Sequence, residues 1–135
     1  ETLLQDLTVR EMTLGIISNG LEEFQKAKLA ATGLNHYFPI LDRVLISSSF
    51  GPAGDKPNQV MYRHFIEKSG CSPQEVLFVG DKLSDIVGAN LAGMVNAWVL
   101  QGKAEKYLNE EFKPRLQIEK ADYVIQEIGE LLDIL

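Results

Sequence analysis

The chain has 135 residues, a formal net charge of −6 and 45 % hydrophobic residues. This length suits one domain with its own core. An acidic chain without a lysine or arginine run makes nucleic acid or an anionic membrane a poor partner. No apolar stretch approaches the roughly 20 residues of a membrane span. The single cysteine, Cys71, is interpreted as a reduced structural thiol, so we expect a cytoplasmic protein that acts on small molecules.

The first predicted elements alternate between helix and strand. Apolar spacing indicates a short helix over 3–11, and the apolar run 14–17 is a strand that closes on Ser18-Asn19-Gly20. A helix is predicted over 21–32, with Gly33 directly after its end. The residues expected on the buried face of that helix are Leu21, Phe24, Ala27 and Ala31.

The middle of the chain repeats the pattern. A third strand is predicted over 44–47, and the glycine-rich and proline-containing stretch 51–55 is a loop. Proline is favoured at the first helical position, so Pro57 is predicted to open the next helix and Lys56 to lie just outside it. That helix ends at Ser69-Gly70. Its expected apolar residues are Val60, Met61, Phe65 and Ile66.

The remaining elements continue the alternation. Ser72 and Glu75 have the spacing of a capping box. The further predictions are strands over 76–79, 94–100 and 123–125, a helix over 83–91 stopped by Gly93, a polar helical connection over 103–113, and a closing amphipathic helix from Ile128 to Leu135. Strands that alternate with helices indicate an α/β fold with a parallel sheet and right-handed crossovers.

Two acids follow the buried strand that ends at Gly80. Asp81 comes at the carboxyl end of the strand and Asp85 in the first turn of the next helix, where open α/β sheets bind ligands. Neighbouring carboxylates are costly unless a positive group lies between them. Mg²⁺ is held in proteins by one or two carboxylates together with water and phosphate oxygens. We therefore predict a metal site at Asp81 and Asp85; the alternative is that these acids only cap the helix.

Three polar segments are predicted to meet at one edge of the sheet. Ser18 and Asn19 end one strand, Lys56 precedes a helix, and the two acids follow another strand. Serine and asparagine can donate hydrogen bonds to phosphate oxygens, and lysine offsets their charge. These groups are the parts of a phosphoryl-transfer site.

The motifs resemble those of the haloacid dehalogenase-like (HAD) hydrolase superfamily, over nearly the whole chain. Ile16-Ile17-Ser18-Asn19-Gly20 is similar to its second motif, Lys56-Pro57 to its third, and Val79-Gly80-Asp81-Lys82-Leu83-Ser84-Asp85 to its fourth. The resemblance implies a Rossmann-like parallel sheet with helices on both faces. It also implies Mg²⁺-dependent hydrolysis of phosphate monoesters through a phospho-aspartyl intermediate, with Lys56 and Asp81 as catalytic residues, Ser18, Asn19 and Lys56 as phosphate ligands, and Asp81 and Asp85 as metal ligands.

One motif of the resembled family is missing. The nucleophilic aspartate belongs to a first motif, Asp-x-Asp after a hydrophobic strand, and these residues contain only the superficial candidate Asp6-Leu7-Thr8-Val9, which lacks the strand. Residues 1–135 are therefore expected to be the C-terminal part of the core domain, without first motif or cap domain, as the absence of an initial methionine also suggests. The missing strand is central in the resembled fold. We expect the remaining strands not to form one ordinary sheet, so that the strands ending at Ser18 and Gly80 pair directly, or a second copy or a further segment fills the gap.

Two functions follow from this interpretation. The first is a phosphatase acting on a small phosphorylated metabolite, inactive without the missing aspartate. The alternative is a catalytically inert domain of the same fold that serves binding or assembly. Outside the motifs, His36 and His64 are interpreted as structural or exposed, and Trp98 as a packing residue.

Overall fold

The chain folds as an α/β protein with parallel strands, as predicted. The computed structural model describes residues 2–39, 41–101 and 121–135. The chain divides into two compact units, Glu1–Cys71 and Ser72–Leu135. Nowhere in the described ranges is a helix both long and apolar enough to span a bilayer. That the whole chain forms one domain stays a prediction.

The first unit is built around two parallel strands. Its helices and strands are α1 (Thr2–Val9), β1 (Ile16–Ser18), α2 (Glu22–Ala31), β2 (Val44–Ile46) and α3 (Val60–Ser69). In the ladder, Ile16 lies opposite Val44 and Ser18 opposite Ile46, so both strands end at the same edge. The buried apolar side chains of this unit are Leu7, Leu45, Ile46, Met61, Tyr62 and Phe65.

The second unit has a three-stranded parallel sheet in the order β3-β4-β5. Its helices and strands are β3 (Leu77–Gly80), α4 (Leu83–Ala92), β4 (Val95–Val99), β5 (Tyr123–Ile125) and α5 (Leu131–Ile134). The central strand is the most deeply buried, because every residue from Asn96 to Leu100 is shielded from solvent. Trp98 packs there with Ile86 and Leu100, which agrees with its predicted packing role.

A buried polar network fastens β5 to the rest of the second unit. Asn96 in β4 is fully buried. Its side-chain Nδ2 donates to Asn90 Oδ1 at 2.9 Å and to Asp122 Oδ2 at 3.0 Å. Its backbone N–H donates to Asp122 Oδ2 at 2.9 Å, and the Asp122 N–H donates to Asn96 Oδ1 at 3.2 Å. A buried amide is tolerated when its hydrogen bonds are made in this way.

The strands do not form one continuous sheet in the described residues. β1 belongs to a two-stranded sheet and β3 to a three-stranded one, which confirms the prediction that these residues alone do not make an ordinary sheet. Within the described ladders, the direct pairing of β1 with β3 is not adopted.

The predicted buried face of α2 is wrong. The helix forms, and Gly33 after it has the predicted left-handed conformation, with φ of 70°. However, none of its residues is buried in this structure, and Leu21 and Phe24 are 54 % and 58 % exposed. The helix is held instead by hydrogen bonds at its amino-terminal turn, where Glu22 N–H donates to Ser48 Oγ at 3.0 Å. Amphipathic spacing indicates that one face of a helix can be buried, but it does not identify the part of the protein that would cover that face.

This exposure leads to a stability prediction for two phenylalanines. Phe24→Leu should change the free energy of unfolding by less than about 0.5 kcal/mol, because the ring is solvent-exposed. Phe65→Leu is the matched control in α3; this ring is only 8 % exposed, so the same change should cost about 1 kcal/mol. Urea denaturation of both variants measures the difference. Equal costs would mean that α2 buries Phe24 as the sequence predicted.

The start of α3 also differs from the prediction. The helix begins at Val60, not at Pro57. Residues 55–58 form a turn in which the Asn58 N–H donates to the Asp55 carbonyl at 2.9 Å, and the Lys56-Pro57 peptide bond in it is cis. The proline therefore serves the turn instead of opening the helix, because the chain reverses before α3 starts.

The other boundaries agree closely with the sequence. Gly70 and Gly93 end α3 and α4 in the left-handed conformation. The predicted capping box is present, with Ser72 N–H donating to Glu75 Oε2 at 2.8 Å, and this bonding to Ser72 lowers the pKa of Glu75. The closing helix starts as a 3-10 turn at Ile128. The predicted connection over 103–113 lies outside the described residues.

Candidate functional site

The carboxyl end of β1 brings three of the predicted site residues together. Ser18 and Asn19 are half-buried there, and the Ser18 hydroxyl donates to the Asn19 carbonyl at 3.3 Å. The Asn19 side chain reaches the turn that holds Lys56. Its Oδ1 accepts from the Lys56 N–H at 2.8 Å and its Nδ2 donates to the Lys56 carbonyl at 3.4 Å.

The Lys56 side chain returns to the same strand. Its Nζ donates to the Ile17 carbonyl at 3.1 Å. An ammonium has three donor hydrogens, so it can bond a carbonyl and an anionic oxygen together. The structure thus holds a cation at the carboxyl end of β1, at the edge of the sheet where the sequence predicted a phosphate site.

Ser47 is a residue of this cluster that the sequence interpretation missed. It follows β2 and is only 4 % exposed. Its hydroxyl accepts from the Gly20 N–H at 3.0 Å and lies 3.5 Å from the Gly20 carbonyl, to which it donates. The signal that drew attention to Ser18, a small polar residue at the carboxyl end of a parallel strand, applies equally to Ser47.

Polar side chains at the beginning of α2 bond the Asn19 backbone and the residues that follow β2. Gln25 Nε2 donates to the Asn19 carbonyl at 3.0 Å. Ser49 Oγ donates to Glu22 Oε2 at 2.7 Å, and Glu22 also pairs with Lys26 one turn later. The hydrogen bonds from Lys26 and then Ser49 lower the pKa of Glu22. Of these bonds, only the one from Gln25 reaches the Asn19 backbone.

In the second unit, Asp85 lies against the end of β3. It is 3 % exposed, and its Oδ2 accepts from the Lys82 N–H at 3.0 Å. The carboxylate is so close to Gly80 that a Cβ added there would be 2.5 Å from Asp85 Oδ2. Asp85 therefore braces the turn between β3 and α4, which is the capping role that the sequence left open beside metal binding.

Asp81 occupies the tip of that turn. Asp81 is half-buried, and its backbone carbonyl accepts a hydrogen bond from Trp98 Nε1 at 3.2 Å. Trp98 thus has a second role beyond packing, since it holds the backbone of a predicted metal ligand in place.

The donor set of the second unit suits a hard cation. Two carboxylates, on Asp81 and Asp85, lie at the strand end and in the first helical turn. No group of three or more His, Cys, Asp or Glu side chains that could hold a metal occurs in the described part of the chain. Mg²⁺ does not need such a group, because it is usually bound by one or two carboxylates with water and phosphate oxygens completing its octahedron.

The other titratable candidates have local packing roles. His36 Nδ1 lies 2.7 Å from the Gly33 carbonyl, and the His64 ring packs edge-on against Phe50. Cys71 is a free thiol. A surface cavity of the first unit is lined by Leu14 and His36 among others, and none of the predicted site residues lines it.

Comparison with known proteins decides the family. The family model described as haloacid dehalogenase-like hydrolase matches residues 1–99. This chain belongs to the haloacid dehalogenase-like hydrolases.

Relatives within this family have the names of phosphatases. Glyceraldehyde 3-phosphate phosphatase from Methanopyrus kandleri is 36 % identical over 99 % of this chain and 53 % of its own length. Phosphoserine phosphatase from Thermus thermophilus is 35 % identical over 76 % of this chain and 39 % of its own length. The crystal structure of a predicted phosphoglycolate phosphatase from Haemophilus somnus 129pt matches with a TM-score of 0.80 and 25 % identity, over 98 % of this chain and 54 % of that one.

The chain corresponds to only part of its phosphatase relatives. The chain spans about half the length of the glyceraldehyde 3-phosphate phosphatase that it matches. The matches therefore establish the family and the α/β fold of these residues. They do not establish the reaction of the whole protein.

Proposed function

We propose that the complete protein is a Mg²⁺-dependent phosphate-monoester hydrolase that acts on a small phosphorylated metabolite. The observation that carries this proposal is the fixed ammonium of Lys56, bonded to the Ile17 carbonyl at the end of β1 beside Ser18. In a family whose relatives here are phosphatases, a lysine held at that strand end is best explained as a partner for a phosphate group.

The phosphate-binding residues belong to the first unit. The Ser18 hydroxyl would donate a hydrogen bond to a phosphate oxygen, and Lys56 would offset the negative charge that the transferring phosphoryl group carries. Asn19, at 2.8 Å from the Lys56 N–H, is the third predicted member. Groups that are already in place when the substrate arrives lower the reaction barrier without further ordering.

The metal-binding residues belong to the second unit. Asp81 and Asp85 would hold Mg²⁺, which supplies charge neutralisation at the phosphate oxygens when bound. Asp85 is buried and its carboxylate is held by the Lys82 N–H, so this ligand would already be in place before the metal binds.

The nucleophile is the remaining part. The family resemblance implies an aspartate in a first motif that forms a phospho-aspartyl intermediate, and these 135 residues do not contain that motif. We therefore propose the reaction for a polypeptide that carries this aspartate, and we expect residues 1–135 alone to be inactive. The cytoplasmic location and the lack of nucleic-acid or membrane partners stay predictions.

The test is hydrolysis by the natural full-length polypeptide. p-Nitrophenyl phosphate, glyceraldehyde 3-phosphate and phosphoserine should be assayed with Mg²⁺ and with EDTA, and at least one should be hydrolysed only with the metal. Asp81→Asn should reduce kcat/KM at least tenfold (about 1.4 kcal/mol of transition-state stabilisation), because it removes a metal-binding charge. Asp133→Asn is the matched control, since Asp133 is an exposed residue of α5.

Two results would contradict the proposal. Unchanged activity and unchanged Mg²⁺ dependence in Asp81→Asn would remove Asp81 from the metal site. No hydrolysis of any phosphate monoester by the full-length polypeptide would favour the inert binding or assembly domain.

A further inference from the structure

Asn19 and Lys56 are joined by two hydrogen bonds between the Asn19 side chain and the Lys56 backbone. Both ends of the Asn19 carboxamide bond the backbone of Lys56: Oδ1 accepts from its N–H at 2.8 Å, and Nδ2 donates to its carbonyl at 3.4 Å. The carboxamide therefore pairs with Lys56 as a neighbouring strand would. A side chain that bonds the peptide group of another residue fixes where that residue lies.

The consequence reaches the ammonium of Lys56. Its Nζ bonds the Ile17 carbonyl at 3.1 Å, so its backbone and its side chain are both tied to the last residues of β1. If the backbone of Lys56 moved, the Nζ could keep that bond only by adopting another side-chain conformation. Asn19 thus acts on the position of the cation through the backbone of Lys56.

Ser47 supports the same arrangement from the other side. Its buried hydroxyl bonds the Gly20 N–H at 3.0 Å, and the Ser48 N–H donates to the Gly20 carbonyl at 3.3 Å. The Ser47 carbonyl lies against Gly54, where an added Cβ would be only 2.1 Å from that oxygen. Ser47 therefore contacts Gly20, the residue after Asn19, through its hydroxyl. Its carbonyl contacts Gly54, which directly precedes the turn that contains Lys56.

We propose that Asn19 and Ser47 are positioning residues, which hold Lys56 and the Ser18–Gly20 turn in their binding geometry before phosphate arrives. This inference rests on the proposed function, and it gives Asn19 a different role from the phosphate ligand predicted from sequence. The two side chains act through Lys56 and Gly20. Because a preorganised site loses less conformational freedom when its ligand binds, their removal weakens phosphate binding even though they do not bond the phosphate.

The experiment is a double-mutant cycle on the natural full-length polypeptide. The dissociation constant of inorganic phosphate is measured by NMR titration for the wild type, Asn19→Ala, Lys56→Met and the double variant. Asn19→Ala should weaken binding about tenfold in the wild-type background and less than twofold in the Lys56→Met background, because residues that act through one another are not additive. A direct phosphate ligand would weaken binding by a similar factor in both backgrounds, which would overturn the inference.

A second measurement does not depend on phosphate. Hydrogen exchange of the Lys56 amide should accelerate at least tenfold in Asn19→Ala, because its acceptor is removed. Ser47→Ala should weaken phosphate binding, while Ser49→Ala is the matched control, since its hydroxyl bonds only the exposed Glu22 carboxylate among the contacts of the described residues. Unchanged Lys56 exchange in Asn19→Ala, or equal effects of the two serine variants, would overturn the inference alone. A wild type that binds no phosphate would overturn it together with the proposed function.

Discussion

Trp98→Ala is expected to lower the free energy of unfolding by about 3–5 kcal/mol, the cost of truncating a fully buried aromatic side chain. Trp98 is 1 % exposed and packs with Ile86 and Leu100 in the core of the second unit. The substitution also removes the indole N–H that bonds the Asp81 carbonyl at 3.2 Å. Urea denaturation measures the change. Unfolding is followed by circular dichroism and not by tryptophan fluorescence, because the variant has lost the only tryptophan of the chain.

Two further variants separate packing from hydrogen bonding. Trp98→Phe keeps a buried ring and loses the donor, so we expect a smaller cost of about 1–3 kcal/mol. Tyr123→Ala removes an aromatic ring that is 41 % exposed in the same sheet, and its cost should be lower than that of Trp98→Ala. A loss of less than 1 kcal/mol in Trp98→Ala would mean that the core of this unit can close around the gap.

Gly80→Ala is expected to destabilise the protein by about 2–4 kcal/mol, as the sum of overpacking and a lost helix cap. A Cβ at this position would lie 2.4 Å from Asp85 Cβ and 2.5 Å from its Oδ2. Asp85 is buried on α4 and cannot swing away without breaking its bond to the Lys82 N–H. Either the strand end or the helix start must therefore shift.

Gly129→Ala serves as the matched control for this substitution. No atom lies within 4 Å of an added Cβ at Gly129, so its free energy of unfolding should change by less than about 0.5 kcal/mol. Denaturant titrations of both variants give the comparison. Since the displaced carboxylate is a proposed metal ligand, Gly80→Ala should also weaken Mg²⁺ binding; a variant as stable as Gly129→Ala would show that the turn has room for the methyl group.

The local elements were predictable from sequence because their signals are local. The apolar run before Gly80, the glycines that end α3 and α4, and the capping box at Ser72 each depend on a few neighbouring residues, and the structure confirms them. The parallel pairing followed from the alternation of strands and helices. Where the signal extended only to amphipathic spacing, as for Leu21 and Phe24, the pattern could not specify what would cover the face.

For the candidate site, the sequence predicted which residues of the first unit lie close together but not which hydrogen bonds join them. The sequence placed Ser18, Asn19 and Lys56 at one edge, and the structure brings them together. It did not predict that the Asn19 carboxamide would bond the Lys56 backbone, because this contact joins residues distant in sequence and depends on the turn at Asp55–Asn58. The bond from Trp98 to the Asp81 carbonyl was missed for the same reason, whereas Ser47 ends a predicted strand as Ser18 does and could have been found from the sequence.

The Asn96–Asp122 network has a consequence for how the chain tolerates variation. A strand that slips by one residue turns every side chain to the opposite face, and β5 has only three residues with which to resist that. Its alignment on β4 is set by the carboxylate and amide bonds of Asp122 and Asn96, at the point where the strand begins. We therefore expect β5 to keep its alignment on β4 when the chain between the two strands is lengthened, because these bonds, and not the length of that chain, set the alignment.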